Sequence, residues 1–146
     1  MKLPTALTPA IAARLLAFEA GGEALNWPEV TAAAIRVHEK LFRSLAPVIG
    51  DAGYEALFAR TLALTRRSHA GLEAVAPDVS APVVFGQLRP GPGGASPEEL
   101  TALVTTLLDT FIGLLSNLIG KRLAWRLVAH AWPDLLPSAP PPGEDS

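Results

Sequence analysis

The residues best suited to proton transfer or metal binding in this chain are its three histidines, His38, His69 and His130. Imidazole is the side chain that titrates near neutral pH and ligates metals most readily. Their surroundings in sequence argue against either use. A His-Glu-x-x-His motif fails because His38-Glu39 is followed by Lys40-Leu41-Phe42. A Glu-x-x-His motif fails because Ile35, Arg66 and Leu127 stand three residues before the histidines. His38 and His69 do not form an active pair either. If the hairpin that carries them sets His38 opposite Arg60 or Thr61, then His69 lies more than ~10 Å further along, at ~1.5 Å of rise per residue. Each reads as a hydrogen-bonded or half-exposed structural histidine. His130 follows Arg122 and Arg126 at steps of four near a helix C-terminus, where a cation complements the helix dipole without any ligand.

Other chemistries lack their residues. The chain has no cysteine, which excludes disulfides, thiolate zinc sites and thiol nucleophiles. There is no Gly-x-Ser-x-Gly elbow. Gly91-Pro92-Gly93-Gly94 lies before a helix start, but no Lys-Ser/Thr ending follows, and Glu98 and Glu99 repel an anion there. A hinge is the better reading of that run. No catalytic residue, metal site or cofactor is therefore expected. The one constellation that would build an internal pocket is His38 with Thr61 and Asp109.

Those residues have to be positioned by helices. The 146-residue chain fits one domain. It is 49% hydrophobic and 18% charged, with mean hydropathy +0.30. That is apolar-rich for a soluble domain, so a partner surface is expected beyond the minimum core. A net charge of −2 offers nucleic acid no electrostatic footprint. The Ala/Leu/Arg/Pro-heavy style suits a GC-rich bacterial genome. Pro4 and Pro9 interrupt the only signal-peptide-like run, and a cytoplasmic location is expected.

Apolar periodicity predicts a first helix over 8–20, stopped by Gly21-Gly22, with Glu19 and Glu23 solvated at its fraying end. A second helix runs from Pro28 to about Leu45, before Pro47. Its apolar arc holds Val30, Ala34, Ile35, Val37, Leu41, Phe42 and Leu45, at roughly 100° per residue. A third, antiparallel to it, covers 51–70 and turns Tyr54, Leu57, Phe58, Thr61, Leu62, Leu64 and Thr65 inward. Residues 71–95 form a Pro/Gly-rich loop. A long C-terminal helix opens at Ser96-Pro97-Glu98-Glu99, a capping box with proline in first position, and ends before Pro133. Residues 134–146 form a disordered Pro-rich tail. The expectation is an all-α bundle of four to five helices over 1–133.

The long helix carries the most information. Leu100 to Ile119 contains a single charge, Asp109, and Lys121-Arg122 follow, as in a membrane span. A central Asp costs about 2.5–3.5 kcal/mol on insertion, and a soluble bundle needs this helix as a wall, so a span is not the expected outcome. Leu103, Val104, Leu107, Leu108, Phe111, Leu115 and Leu118 share one half of the helix. Ala102, Thr105, Thr106, Asp109, Thr110, Gly113, Ser116 and Asn117 form the other, which is small and nearly uncharged. After Gly120 the pattern inverts, with Leu123, Ala124, Leu127, Val128 and Ala131 on the small-residue side. The helix therefore kinks or breaks at Gly120, or runs straight between two different partners. Trp125 and Trp132 read as core or interface anchors.

The sequence thus points to a non-enzymatic helical interaction module that self-associates or docks to a signalling or regulatory protein. Its contact face would comprise Ala102, Thr105, Thr106, Asp109, Gly113, Ser116, Trp125 and Trp132. A small-molecule-binding or catalytic bundle with its pocket at His38, Thr61 and Asp109 is the alternative, and a membrane-associated helical protein the third reading.

Overall fold

The computed structural model of the chain describes residues 9–21, 27–65, 97–133 and 135. The expected loop over 71–95, the tail over 134–146 apart from Leu135, His69 and the Ser96 cap lie outside the described residues. Among the described residues the chain is all-helical, with no strand. Helix α1 spans Pro9–Ala20, α2 Trp27–Thr65, α3 Pro97–Ile119 and α4 Lys121–Ala131.

Helix α2 is two arms joined at a break. Gly50 (φ 80°, ψ 162°) interrupts the helical conformation, giving one arm over 27–49 and another over 51–65. Such a backbone is open essentially only to glycine. The first arm does not stop before Pro47, as the sequence suggested, but continues to Gly50. Proline this close to a helix end removes only one bond, that to the carbonyl four residues back, in a region where carbonyls lose their partners anyway. The arms fold back on each other in a register fixed by aromatic side chains. Phe42 meets Tyr54 at 5.3 Å between ring centroids, and His38 meets Phe58 at 5.2 Å. His38 therefore stands opposite Phe58, not Arg60 or Thr61. The register differs by about three residues because Tyr54 is seated between Phe42 and His38.

The core is a continuous apolar cluster fed by every helix. Ala12, Leu15 and Leu16 come from α1, and Val30, Ala33, Ala34, Val37, Leu41 and Leu45 from the first arm of α2. The second arm adds Tyr54, Leu57, Phe58 and Leu62, and α3 adds a stripe from Leu100 to Leu115. These spacings of three and four are the apolar arcs of the sequence made real. Leu118 is an exception at 62% exposure, and Leu64 is also exposed.

Between α3 and α4 stands Gly120 at φ 93°, ψ 151°, with its N–H bonded to the Ser116 carbonyl and its own carbonyl accepting from Ala124. One helix thus ends and the next begins around a single non-helical residue. The break resets the helical phase. The buried side of α4 is Ala124, Trp125, Val128 and Ala129, while Leu123, Leu127 and Ala131 are half-buried. Ala124 and Val128, which a continued helical turn would place on the small-residue side, accordingly face the core alongside Trp125.

Candidate functional site

Three places gather polar chemistry inside this apolar frame, and none matches the expected trio. The first is His38. It is 2% exposed and sits on the core arc of α2, between Val37 and Leu41. Its Nδ1 lies 2.9 Å from the Tyr54 hydroxyl, and that hydroxyl donates to the His38 backbone carbonyl at 3.2 Å. A phenol has one proton to give, so with that proton on the carbonyl it accepts from Nδ1–H. The imidazole is then the neutral Nδ1–H tautomer. Burial enforces the same state, lowering the His38 pKa from 6.5 to about 3 and raising that of Tyr54 above its ordinary range. Phe58 and Phe111 close around the ring edge-on, with centroids at 5.2 and 5.7 Å. At neutral pH this is an uncharged, aromatic-lined hydrogen-bonded pair.

Thr61 lies on the same stripe of α2 as Tyr54 and Phe58, fully buried. Its hydroxyl is engaged within its own helix, donating to the Leu57 carbonyl at 2.9 Å, as Thr65 does to the Thr61 carbonyl at 2.8 Å. Such back-bonding satisfies a buried hydroxyl without a ligand. Asp109 is not part of this group. It precedes Phe111 by two positions, about 200° of helical turn, so Phe111 reaches His38 while Asp109 faces away from it. His38 and Thr61 are brought to one side of the core, and Asp109 is not.

Asp109 instead marks the second place. It lies on the half-covered side of α3 with Thr105, Thr106, Thr110 and Gly113, which are half-buried, and with Ala102, which is exposed. Its Oδ1 is shut off from solvent and finds no hydrogen-bond partner among the described residues. Desolvation raises its carboxyl pKa. The other expected contact residues do not share this face. Ser116 is buried, and Trp125 and Trp132 lie within the chain's own core. Trp125 and Trp132 serve intramolecular packing, and the Ser116 Oγ, like the Asp109 Oδ1, is enclosed without a partner among the described residues.

A third cluster was not legible as a site. Glu19 holds the centre of a polar knot between α1, α2 and the turn after α4. Its side chain is only 6% exposed. The carboxylate accepts the Lys40 ammonium at 2.5 Å and the Trp132 indole N–H at 2.8 Å, with the Arg36 guanidinium at 3.7 Å. Arg36 also donates to the Glu19 backbone carbonyl at 2.6 Å. Glu19 is therefore an interior tie and not the solvated charge expected at a fraying end. The signal was its spacing, since Ala12, Leu15, Leu16 and Glu19 fall on one helical side. Lys40 also lies over the rings of Phe18 and Trp132, 5.3 and 5.8 Å from their centroids.

No known protein family matches this chain, and no curated protein or solved structure does either. Function has to be argued from these places alone. The His38 pair is neutral and walled by rings, and Glu19 is spent on three donors. No group of acidic and histidine side chains suited to a metal ion occurs among the described residues. Among the described residues one helix, over 98–119, is long and apolar enough to cross a membrane, and its inward stripe belongs to the core. The half-covered side of α3 carries Asp109 Oδ1, which is enclosed without a partner among the described residues, as are His38 Nε2 and Ser116 Oγ.

Proposed function

We propose that the chain is a non-enzymatic helical interaction module, a four- to five-helix bundle with a Pro/Gly-rich loop. It associates through the half-covered side of α3, with a second copy of itself or by docking to a signalling or regulatory protein. The observation that carries this reading is Asp109, whose enclosed Oδ1 lacks a partner among the described residues. A buried carboxylate oxygen costs free energy until a donor reaches it. Its neighbours Ala102, Thr105, Thr106 and Gly113 are small and uncharged, so a second helix can approach closely and bring that donor. A patch of this kind can be self-complementary, as a two-fold dimer requires.

The pocket reading with His38, Thr61 and Asp109 has less support. Rings pack edge-on against His38, the Thr61 hydroxyl is bonded within its own helix and Asp109 lies on another face, although the buried His38 Nε2 makes no hydrogen bond among the described residues. Light scattering on the purified chain tests the proposal. The expected mass exceeds the 15.3 kDa of one chain, and Thr105→Glu, which puts a charge on the patch, returns it to one chain's mass with the helical circular-dichroism signal intact. A single-chain mass at high concentration, with Thr105→Glu neutral to stability and to partner capture, refutes it.

A further inference from the structure

Lys40, Arg43 and Ser44 of α2 and His130 and Ala131 of α4 line an open cleft of about 280 Å³. Three of these five residues end in nitrogen donors that carry or can carry positive charge, and among the described residues no acidic side chain lines the wall. Lys40 and Arg43 stand three apart, hence on one side of the helix. Neither the Arg43 guanidinium nor the His130 ring makes a hydrogen bond or ion pair with a described residue.

The cleft is a braced structure. Ser44 donates its hydroxyl to the Leu127 carbonyl at 2.6 Å, pinning α2 to α4 at the cleft floor. Lys40 is held by the Glu19 carboxylate and lies over the Phe18 and Trp132 rings. An ammonium has three protons, so one engaged by Glu19 leaves others for the cleft. Glu39, one turn before Arg43 on α2, is an exposed carboxylate that does not line the cleft, and two further negative features oppose an anion here. One is Glu19, which Lys40 and Arg36 offset. The other is the C-terminus of α4, worth about half a charge at most. The Trp132 N–H reduces the latter by capping the Ala129 and Val128 carbonyls. The full charge of Arg43 remains in excess.

We propose that this cleft binds a small oxyanion of the phosphate class. Donors converge from two helices and not from a single planar fork, so a tetrahedral group that accepts in several directions suits them better than a carboxylate. The volume sits just under the lower end of small-molecule pockets, ~300 Å³, which matches a short phosphomonoester. This site is separate from the α3 patch, and neither proposal depends on the other.

The test is an amide-resolved NMR titration of the full chain with inorganic phosphate, then glycerol phosphate, at pH 7 and constant ionic strength. Saturable shifts centred on Arg43, Ser44 and His130 are expected. Arg43→Gln should weaken binding about ten-fold or more, the usual worth of a charge-assisted hydrogen bond, and His130→Ala several-fold. Arg43 is exposed, so its substitution leaves the fold intact, as circular dichroism will verify. Sedimentation with phosphatidic-acid vesicles separates the sources. Arg43-dependent vesicle binding without a response to glycerol phosphate assigns the phosphate to a lipid headgroup, and a response to glycerol phosphate assigns it to a soluble ligand. Shifts that grow linearly and match those from added chloride overturn the proposal, as does saturable binding that Arg43→Gln leaves unchanged.

Discussion

The buried His38–Tyr54 pair makes stability depend on pH in a way that a single substitution can isolate. His38 is held neutral, with its pKa lowered from 6.5 to about 3. In the unfolded chain the same ring takes up a proton as pH falls through 6.5, whereas the folded ring does not. The unfolded state therefore binds more protons across this window, and stability must fall with falling pH. The slope for one proton is about 1.4 kcal/mol per pH unit. Between pH 6.5 and pH 4.5 that amounts to roughly 2–3 kcal/mol, a sizeable part of the ~5–15 kcal/mol that stabilises a typical domain.

Other groups titrate over the same range, so the useful quantity is the difference between wild type and His38→Leu. Leucine removes the proton acceptor but leaves the Tyr54 hydroxyl its bond to the backbone carbonyl at position 38. Urea denaturation of both proteins at pH 7.0, 6.0, 5.0 and 4.5 gives the two stability curves. The variant is expected to be flatter by about 1 kcal/mol per pH unit below pH 6. Asp109 contributes with the opposite sign, because its pKa is raised by burial. Its contribution is full below the unfolded carboxyl pKa and is lost as pH rises through the folded value, in both proteins alike. Parallel curves for wild type and His38→Leu would refute the reasoning and mean that the ring takes up its proton in the folded state.

The remaining predictions concern backbone and polar ties. Gly120→Ala and Gly50→Ala should each cost about 1–3 kcal/mol, read as a fall in Tm of about 2–4 °C per kcal/mol for a chain of this size. A Cβ at either site meets nothing within 4 Å, so the cost is conformational and a loss smaller than 0.5 °C would contradict the assigned backbone. Glu19→Ala strands the Trp132 indole N–H and should cost about 1–3 kcal/mol, against a few tenths for a solvated charge. Chemical denaturation decides between those two values. Tyr54→Phe leaves the His38 Nδ1–H without its acceptor and should lower stability by about 1–3 kcal/mol. The double variant His38→Leu, Tyr54→Phe should recover part of that loss, and a strictly additive cycle would argue against the bond.

Where apolar residues alone decided an outcome, the sequence was readable. Val30, Ala34, Val37, Leu41 and Leu45 form one buried arc of α2, as their spacing requires, and Leu103, Val104, Leu107, Leu108, Phe111 and Leu115 do the same on α3. Reading failed where one residue changes the frame for those after it. Gly120 lies outside the helical region, so the face predicted for 121–131 by continuing the turn of α3 is rotated, and Ala124 and Val128, assigned to the small-residue side, are buried in the core. Glu19 failed for another reason. Its neighbourhood in sequence, Gly21-Gly22, suggested fraying, whereas its partners Lys40 and Trp132 are distant along the chain and invisible to local periodicity. The pocket trio failed by phase. Asp109 and Phe111 are two apart, and residues two apart on a helix face opposite ways.

These polar ties explain why one arrangement is selected among several that would bury similar apolar area. The two arms of α2 present leucine, valine and phenylalanine at every turn, so sliding one past the other by a turn would still set hydrocarbon against hydrocarbon. It would not keep the Tyr54 hydroxyl on His38. A slipped register strands a phenol and an imidazole in the core, each costing about 1–3 kcal/mol, which exceeds the usual difference between two well-mixed apolar contacts. Glu19 acts likewise on the other axis of the fold. Turning α1 by one residue would carry its carboxylate away from Lys40, Arg36 and Trp132 together, leaving a buried charge uncompensated. Hydrophobic burial makes the chain collapse, and these two sets of hydrogen bonds determine which collapsed form persists.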